Sequence, residues 1–293
     1  MSVEMQPPLQ LKLATLENGL RGYNQICQLA EALDGKRGLT VQLDFSAVRF
    51  IPGNMLAPLG AILHRTRDAG NSIFLTRVAR SLHDKMYQTG FFPTRQPANE
   101  EVTLPFKRFE PHQEKQFAAY TNIHLKRQKV AAMPPELLRK FFESVDELYN
   151  NASLHSKTEH GVFACGQLYR RRHFLLFAIV DLGFGIKQVV NNWMGSNFEA
   201  DRAIEWCLET GNTTRSGDIP GGLGLKIINE FIIKNRGSLF ILSDTGFLQI
   251  DGSIRTKGLM RHRFPGTVVT MKIITSDITN YFADESIDLG SIF

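Results

Sequence analysis

The chain of 293 residues has room for two domains or one large one, and its 43% hydrophobic and 22% charged residues are typical of a globular protein with a full core. Its net charge of +5 permits weak attraction to anions but does not indicate nucleic-acid binding, which we do not expect. No apolar run approaches the length of a membrane span, and the start MSVEMQPPLQ lacks the layout of a signal peptide, so we expect a cytoplasmic protein without membrane contact.

The first ninety residues alternate strand patterns with helix patterns. Strands are predicted at LQLKLATL, LTVQLDFSAVRFI and SIFLTRV, and a helix pattern with a glycine stop follows each of them. This alternation predicts a small α/β domain over residues 1–93, with helices packed against a sheet. The stretch that follows is rich in proline and charge, and it predicts a linker or connecting segment over residues 94–129.

The second half predicts a different layout, of class α+β, over residues 130–275. A helix over about 134–156 precedes two strand patterns, and a long polar segment at about 187–220 leads to another helix and further strands. We expect helices on one mixed, mostly antiparallel sheet. The basic run YRRRH between the two strand patterns predicts an exposed hairpin turn. Residues 276–293 form an acidic C-terminal tail with four acidic residues and no lysine or arginine.

The stretch ELYNNASLHS ends the first helix of this second half. Phe141, Val145, Leu148, Tyr149 and Ala152 share one apolar face at about 100° per residue. On the other face Glu147 and Asn151 lie one turn apart, with Asn150 beside them and His155 a further turn along. Asparagine has no advantage inside a helix. This polar face is either an ordinary solvated face or part of a site.

Two glycine-rich stretches favour a site. In VDLGFGIKQ, Asp181 ends an apolar strand just before Gly183 and Gly185, so its carboxylate could accept a hydrogen bond from an exocyclic amine while the glycines let backbone approach a flat ligand. In GGLGLKIINEFI, Gly221, Gly222 and Gly224 open a helix, whose free N–H groups could hold phosphate. The chain has no Walker or Rossmann motif, and its three cysteines lack the spacing of a zinc site.

In their order, ExxxNA, DxGxGI, GGLGL and PGTVVTMKI resemble the GHKL ATPase superfamily of gyrase B, heat-shock chaperones, histidine kinases and MutL. The resemblance covers residues 130–275 and implies a Bergerat-type sandwich that binds ATP and Mg²⁺. It implies that Glu147 orients or deprotonates the nucleophile, Asn151 binds Mg²⁺, Asp181 binds the adenine amino group, and Thr267 completes the adenine pocket. Further cofactor contacts are assigned to Asn150, Gly183, Gly185, Ile186, Thr214, Gly221, Gly222, Leu223, Gly224 and Leu225.

The polar segment between the two glycine boxes corresponds, in this resemblance, to the ATP lid of the family. A lid that orders on ligand binding is polar and rich in small residues, as this segment is. Thr213, Thr214 and Arg215 either contact the phosphates or form a solvated loop tip.

Residues 39–92 resemble a STAS domain, the fold of anti-sigma-factor antagonists. In that family a phosphorylatable serine lies at a helix start, where this chain has Pro52, Gly53, Asn54 and Met55 without a hydroxyl. This difference argues against a phosphorylation switch here. The stretch LHDKMYQ resembles a histidine-kinase phosphoacceptor box at His83. Its helix pattern ends at Gly90, which is too early for the long helical hairpin through which such domains dimerise, and this argues against autophosphorylation.

These patterns together predict a regulatory protein in which a STAS-like domain is fused to a GHKL domain that binds Mg-ATP. Three functions remain open: an ATPase switch whose nucleotide state controls partner binding, a serine/threonine protein kinase of the anti-sigma-factor type acting on another protein, and a non-catalytic ATP-sensing scaffold. The expected partner is a protein, such as another STAS or regulatory protein, and a homodimer is compatible with the sequence.

Overall fold

The computed structural model describes residues 7–93, 103–127, 135–209 and 223–275. Its secondary structure consists of eight strands and eight α-helices within these residues. The strands are β1 (Leu9–Lys12), β2 (Thr40–Asp44), β3 (Ser72–Thr76), β4 (Thr103–Phe109), β5 (Val162–Tyr169), β6 (Phe174–Asp181), β7 (Ser238–Asp251) and β8 (Ile254–Ile274). The helices are α1 (Leu20–Leu33), α2 (Leu56–Asp68), α3 (Arg80–Gln88), α4 (Glu114–Arg127), α5 (Pro135–Asn150), α6 (Ile186–Met194), α7 (Ala200–Trp206) and α8 (Leu223–Lys234).

The N-terminal unit contains a three-stranded parallel sheet in the order β1-β2-β3. Parallel neighbours need crossover connections, which α1 and α2 provide. Helix α1 buries Tyr23, Ile26, Cys27 and Leu33. Helix α3, which carries His83, is only nine residues long. The predicted α/β layout of strands alternating with helices is therefore present over residues 9–88.

The second sheet has five strands in the order β4-β5-β6-β8-β7, and every pair in it is antiparallel. The sequence predicted a mixed, mostly antiparallel sheet, and the structure differs only in having no parallel pair among these five strands; helices and sheets combine as an α+β arrangement. Its edge strand β4 and the helix α4 both lie within the segment 94–129, which the sequence indicated as a connecting segment. Strand β4 belongs to the sheet because Leu104 and Phe109 are buried in its core.

Both faces of the five-stranded sheet are covered. Along β6, Phe177 and Ile179 belong to a core formed with α4, α5 and α8, whereas Ala178 and Val180 belong to the core of the N-terminal unit. Successive strand residues point to opposite faces, so this alternation places the N-terminal unit on one side of the sheet and the helices on the other. The two halves of the chain thus share a hydrophobic core.

The contact between the halves includes the turn at Pro52–Met55. All four residues of this turn are buried, and a Cβ built on Gly53 would lie 2.6 Å from the Cβ of Gln167 on β5. Nearby, Tyr23 stacks on Phe240 with a centroid distance of 4.3 Å, and its hydroxyl lies 2.6 Å from that of Thr270. The turn at Pro52–Met55 is therefore an internal packing surface in this chain.

Several further expectations can be compared with the structure. The apolar face of the ELYNNASLHS helix is buried as predicted, and the Arg170–Arg172 turn between β5 and β6 is exposed as predicted. The first part of the polar segment at 187–220 is mainly helical, because α6 and α7 occupy most of residues 186–206 and bury Val190, Ala203 and Trp206 together, and the lid itself stays a prediction. Strands β7 and β8 are longer than predicted and form one extended hairpin.

No helix of the described ranges is long and apolar enough to cross a membrane. The cysteines Cys27, Cys165 and Cys207 form no disulfide bond with one another. The acidic tail at 276–293 lies outside the described residues.

Candidate functional site

A cavity lies on the helical side of the five-stranded sheet, between α5, α6, α8 and the strands β6 and β8. Its empty volume, with the solvent in its open mouth included, is about 720 Å³. Polar groups enter it from Asn151, Ser156, Asp181 and Thr267. The walls are mostly apolar and include Leu148, Ile179, Ile186, Val189, Leu225 and Val269.

Asp181 is the buried carboxyl group of this cavity. It is the last residue of β6, whose seven residues from Leu175 to Asp181 are all buried, so the strand carries the side chain into the protein. One carboxyl oxygen accepts the Gly183 amide proton at 2.9 Å. Burial raises the pKa of Asp181 to about 7, although hydrogen bonds from Gly183 and Ser156 act in the opposite direction. A group with this pKa changes charge near neutral pH.

Thr267 lies directly opposite Asp181 on the neighbouring strand β8, and Ser243 on β7 lies opposite Thr267. Residues paired in this way have side chains close enough to interact. The hydroxyls of Ser243 and Thr267 are 3.0 Å apart, and the Ser243 hydroxyl also donates to the Gly266 carbonyl at 3.0 Å. Three adjacent strands thereby place one carboxyl and two hydroxyl groups in a row, and two members of this row face the cavity.

The two glycines of the DxGxG turn contact serines. A Cβ on Gly183 would lie 2.1 Å from the carbonyl oxygen of Ser156, and a Cβ on Gly185 would lie 3.0 Å from the hydroxyl of Ser243. The Ser243 hydroxyl also accepts the Ile186 amide proton at 2.8 Å. In the structure these glycines let the turn approach two serines, and the suggestion that they let backbone approach a ligand stays a prediction.

Helix α5 contributes the residues of the ExxxNA motif. Asn151 lines the cavity and begins a π turn that continues α5 over Asn151–His155. Glu147 and Asn150 are half-buried on α5, and they are not among the described residues that line the cavity. The structure therefore brings Asn151 together with Asp181, Ile186, Leu225 and Thr267, while Glu147 is one helical turn from Asn151.

The predicted phosphate end is described only in part. Leu223 and Gly224 are the first residues of α8, and Leu225 reaches the cavity. Thr213, Thr214, Arg215, Gly221 and Gly222 lie outside the described residues, so their assignment as phosphate contacts stays a prediction. The start of α8 beside the cavity is compatible with that assignment, because a helix N-terminus attracts anions.

Ser156 and Ser243 are two site residues that sequence reasoning missed. Ser156 is the last residue of the quoted stretch ELYNNASLHS, so its position after the ExxxNA motif was a usable signal. Ser243 carried no such signal, because its partners Ile186 and Thr267 are 57 and 24 residues away along the chain. Only the pairing of β7 with β8 brings it beside the turn.

The cavity has the chemistry of a site for a flat ring that carries an amino group. Apolar walls can sandwich such a ring, and a buried carboxylate can accept a hydrogen bond from the amine. Within the described ranges, no group of three or more His, Cys, Asp or Glu residues could hold a metal ion. The Asn151 amide oxygen fits Mg²⁺ bound mainly by phosphates, since this ion commonly takes only one or two protein ligands.

A scan against protein-family models found no match to this sequence. A search of curated proteins found no similar sequence either. The functional argument therefore depends on the motifs and on the geometry of the cavity.

Proposed function

We propose that this chain binds Mg-ATP in the cavity and acts as an ATPase switch whose nucleotide state controls a protein partner. The observation that carries the proposal is the convergence of separate sequence motifs on one cavity. Asn151, Asp181, Leu225 and Thr267 come from four motifs of the GHKL pattern, and all four residues line it. Four unrelated motif matches would have no reason to meet around one cavity.

Each residue has a role that its position supports. The buried carboxylate of Asp181 accepts the adenine amino group, and Thr267, its partner on β8, completes the polar floor of the base site. Asn151 at the cavity wall ligates the magnesium ion, which when bound neutralises phosphate charge. Glu147, one helical turn earlier on the same helix, orients or deprotonates the attacking nucleophile.

A protein kinase acting on another protein is the second candidate. The buried, hydroxyl-free turn at Pro52–Met55 favours a substrate outside this chain, because the position phosphorylated in STAS domains is enclosed against β5. The partner in either case would be a STAS or other regulatory protein, or a second copy of the chain. A non-catalytic ATP sensor is the third candidate, and it differs from the others in having no use for Glu147.

Calorimetry of ATP binding with and without Mg²⁺ tests the proposal. The unaltered chain should bind ATP, and Asp181→Asn should weaken binding roughly tenfold or more, as expected for a lost hydrogen bond to a charged group. Asp251→Asn, which changes an exposed carboxylate at the end of β7, is the matched control and should bind normally. No binding by the unaltered chain, or equal affinity of the Asp181 variant, would overturn the proposal.

A further inference from the structure

Ser156 closes the π turn at the end of α5. Its amide proton is donated to the Asn151 carbonyl at 3.1 Å, a bond that spans five residues instead of the usual four. Its hydroxyl donates to the Ala152 carbonyl. The wider turn directs Ser156 toward the DxGxG turn, and π turns of this kind occur frequently at functional sites.

Ser156 is also the residue against which the DxGxG turn rests. The Phe184 amide proton is donated to the Ser156 carbonyl at 2.5 Å. Gly183 packs so closely against Ser156 that a Cβ there would overlap both its carbonyl oxygen and its hydroxyl. The backbone of the turn that follows Asp181 is therefore fixed by a residue on another element, 25 or more positions earlier in the chain.

A hydrogen bond from Ser156 also lowers the pKa of Asp181, and the Ser156 hydroxyl lies against Gly183, which donates its amide proton to the same carboxyl group. One hydroxyl proton is thus available to two acceptors, Asp181 and the Ala152 carbonyl. When Asp181 is ionised, the hydroxyl can donate to it. When Asp181 is protonated, the carboxyl can donate to the hydroxyl, which then donates to Ala152. Charged residues on the surrounding elements, such as Glu147, Lys187 and Lys226, are not among the causes of the raised pKa of Asp181.

We propose that Ser156 is the positioning residue of the base site and that its hydroxyl holds the Asp181 carboxylate in the orientation that selects adenine over guanine. The inference rests on the proposed function, because it assigns the base that Asp181 recognises. Adenine presents an amino group where guanine presents a carbonyl oxygen, so a fixed, ionised carboxylate accepts from the first and repels the second. Without the hydroxyl, Asp181 loses one of its two hydrogen bonds and its fixed orientation.

The test compares Ser156→Ala with Thr158→Ala. Thr158 is a buried hydroxyl residue two positions along, and it donates to the Gly161 carbonyl at 3.2 Å instead of to Asp181. Affinities for Mg-ATP, Mg-GTP and inorganic tripolyphosphate are measured by calorimetry between pH 6 and pH 8. Ser156→Cys, with a weaker donor of similar size, provides the same comparison if the alanine variant does not fold.

We expect Ser156→Ala to bind ATP several-fold more weakly at pH 6 to 7, because less of Asp181 is ionised once it loses a donor, while tripolyphosphate affinity is unchanged. Its preference for ATP over GTP should fall, and the pH midpoint of ATP binding should move upward because ionised Asp181 loses a donor. Ser156→Cys should show smaller changes in the same directions, and Thr158→Ala none. If the ratio of ATP affinity to GTP affinity and the pH midpoint of ATP binding are unchanged in Ser156→Ala, the inference is overturned and the proposed function stands. If the unaltered chain does not bind ATP, both are overturned.

Discussion

Asp181→Asn should make the folded chain more stable at neutral pH while it weakens ATP binding. Burial raises the pKa of Asp181 from 3.8 to about 7, so the ionised carboxylate that base recognition requires is unfavourable in the folded protein. Asparagine is uncharged and keeps an oxygen that can accept the Gly183 amide proton. The substitution therefore removes the cost of ionisation without removing that hydrogen bond.

The sign and size of this effect follow from proton binding. Between pH 3.8 and about pH 7, the folded chain holds a proton at Asp181 that the unfolded chain has lost, so the free energy of unfolding falls as the pH rises through this window. Above pH 7 the free energy of unfolding has fallen by roughly 4 kcal/mol in total because of this one group. At pH 5 only about 1 to 2 kcal/mol of this stability has been lost, so the free energy of unfolding is about 2 to 3 kcal/mol lower at pH 8 than at pH 5 on account of Asp181.

Urea unfolding without nucleotide, at pH 5 and pH 8, measures this difference. The stability gained by Asp181→Asn over the unaltered chain should be about 2 to 3 kcal/mol larger at pH 8 than at pH 5. Asp251→Asn, at an exposed position, should show no comparable gain. An equal gain at both pH values would refute the argument that a buried carboxyl at position 181 is ionised at a cost. A substitution that raises stability while it weakens binding is expected at a functional site, where the residue that binding requires is often unfavourable for folding.

Four further substitutions test the catalytic and packing assignments. Glu147→Gln should keep ATP affinity and lose ATP turnover in a phosphate-release assay, and full activity of this variant would favour the ATP-sensing scaffold. Asn151→Ala should lose the magnesium dependence of ATP binding, measured by calorimetry. Gly53→Ser should destabilise the chain by about 1 to 3 kcal/mol in urea unfolding, because its Cβ would overlap strand β5. Tyr23→Phe should lower the free energy of unfolding by about 1 kcal/mol, because it removes the hydrogen bonds of a buried hydroxyl. Tyr87→Phe, at an exposed position, should change it little, and equal effects of the two substitutions would contradict this account.

The local elements and the motif residues could be predicted from sequence because their signals are local. The apolar face of α5 follows from side-chain spacing, and the buried strand before Asp181 follows from a continuous apolar run. The DxGxG turn could also be predicted from the sequence, but the contact that requires a glycine at position 183 could not. Its close neighbour is Ser156, and no pattern within the turn itself reveals that contact.

The tertiary structure decided which elements share a sheet and what covers each face. Strand β4 joins the five-stranded sheet through pairing with β5, which is about sixty residues away in the chain, and no local pattern encodes such pairing. The N-terminal unit covers one face of that sheet because both surfaces are apolar, so each loses contact with water when they meet. The sequence therefore determined the chemical groups of the candidate site, whereas the strand pairing of Asp181 with Thr267 and the packing of Ser156 decided how those groups face one cavity.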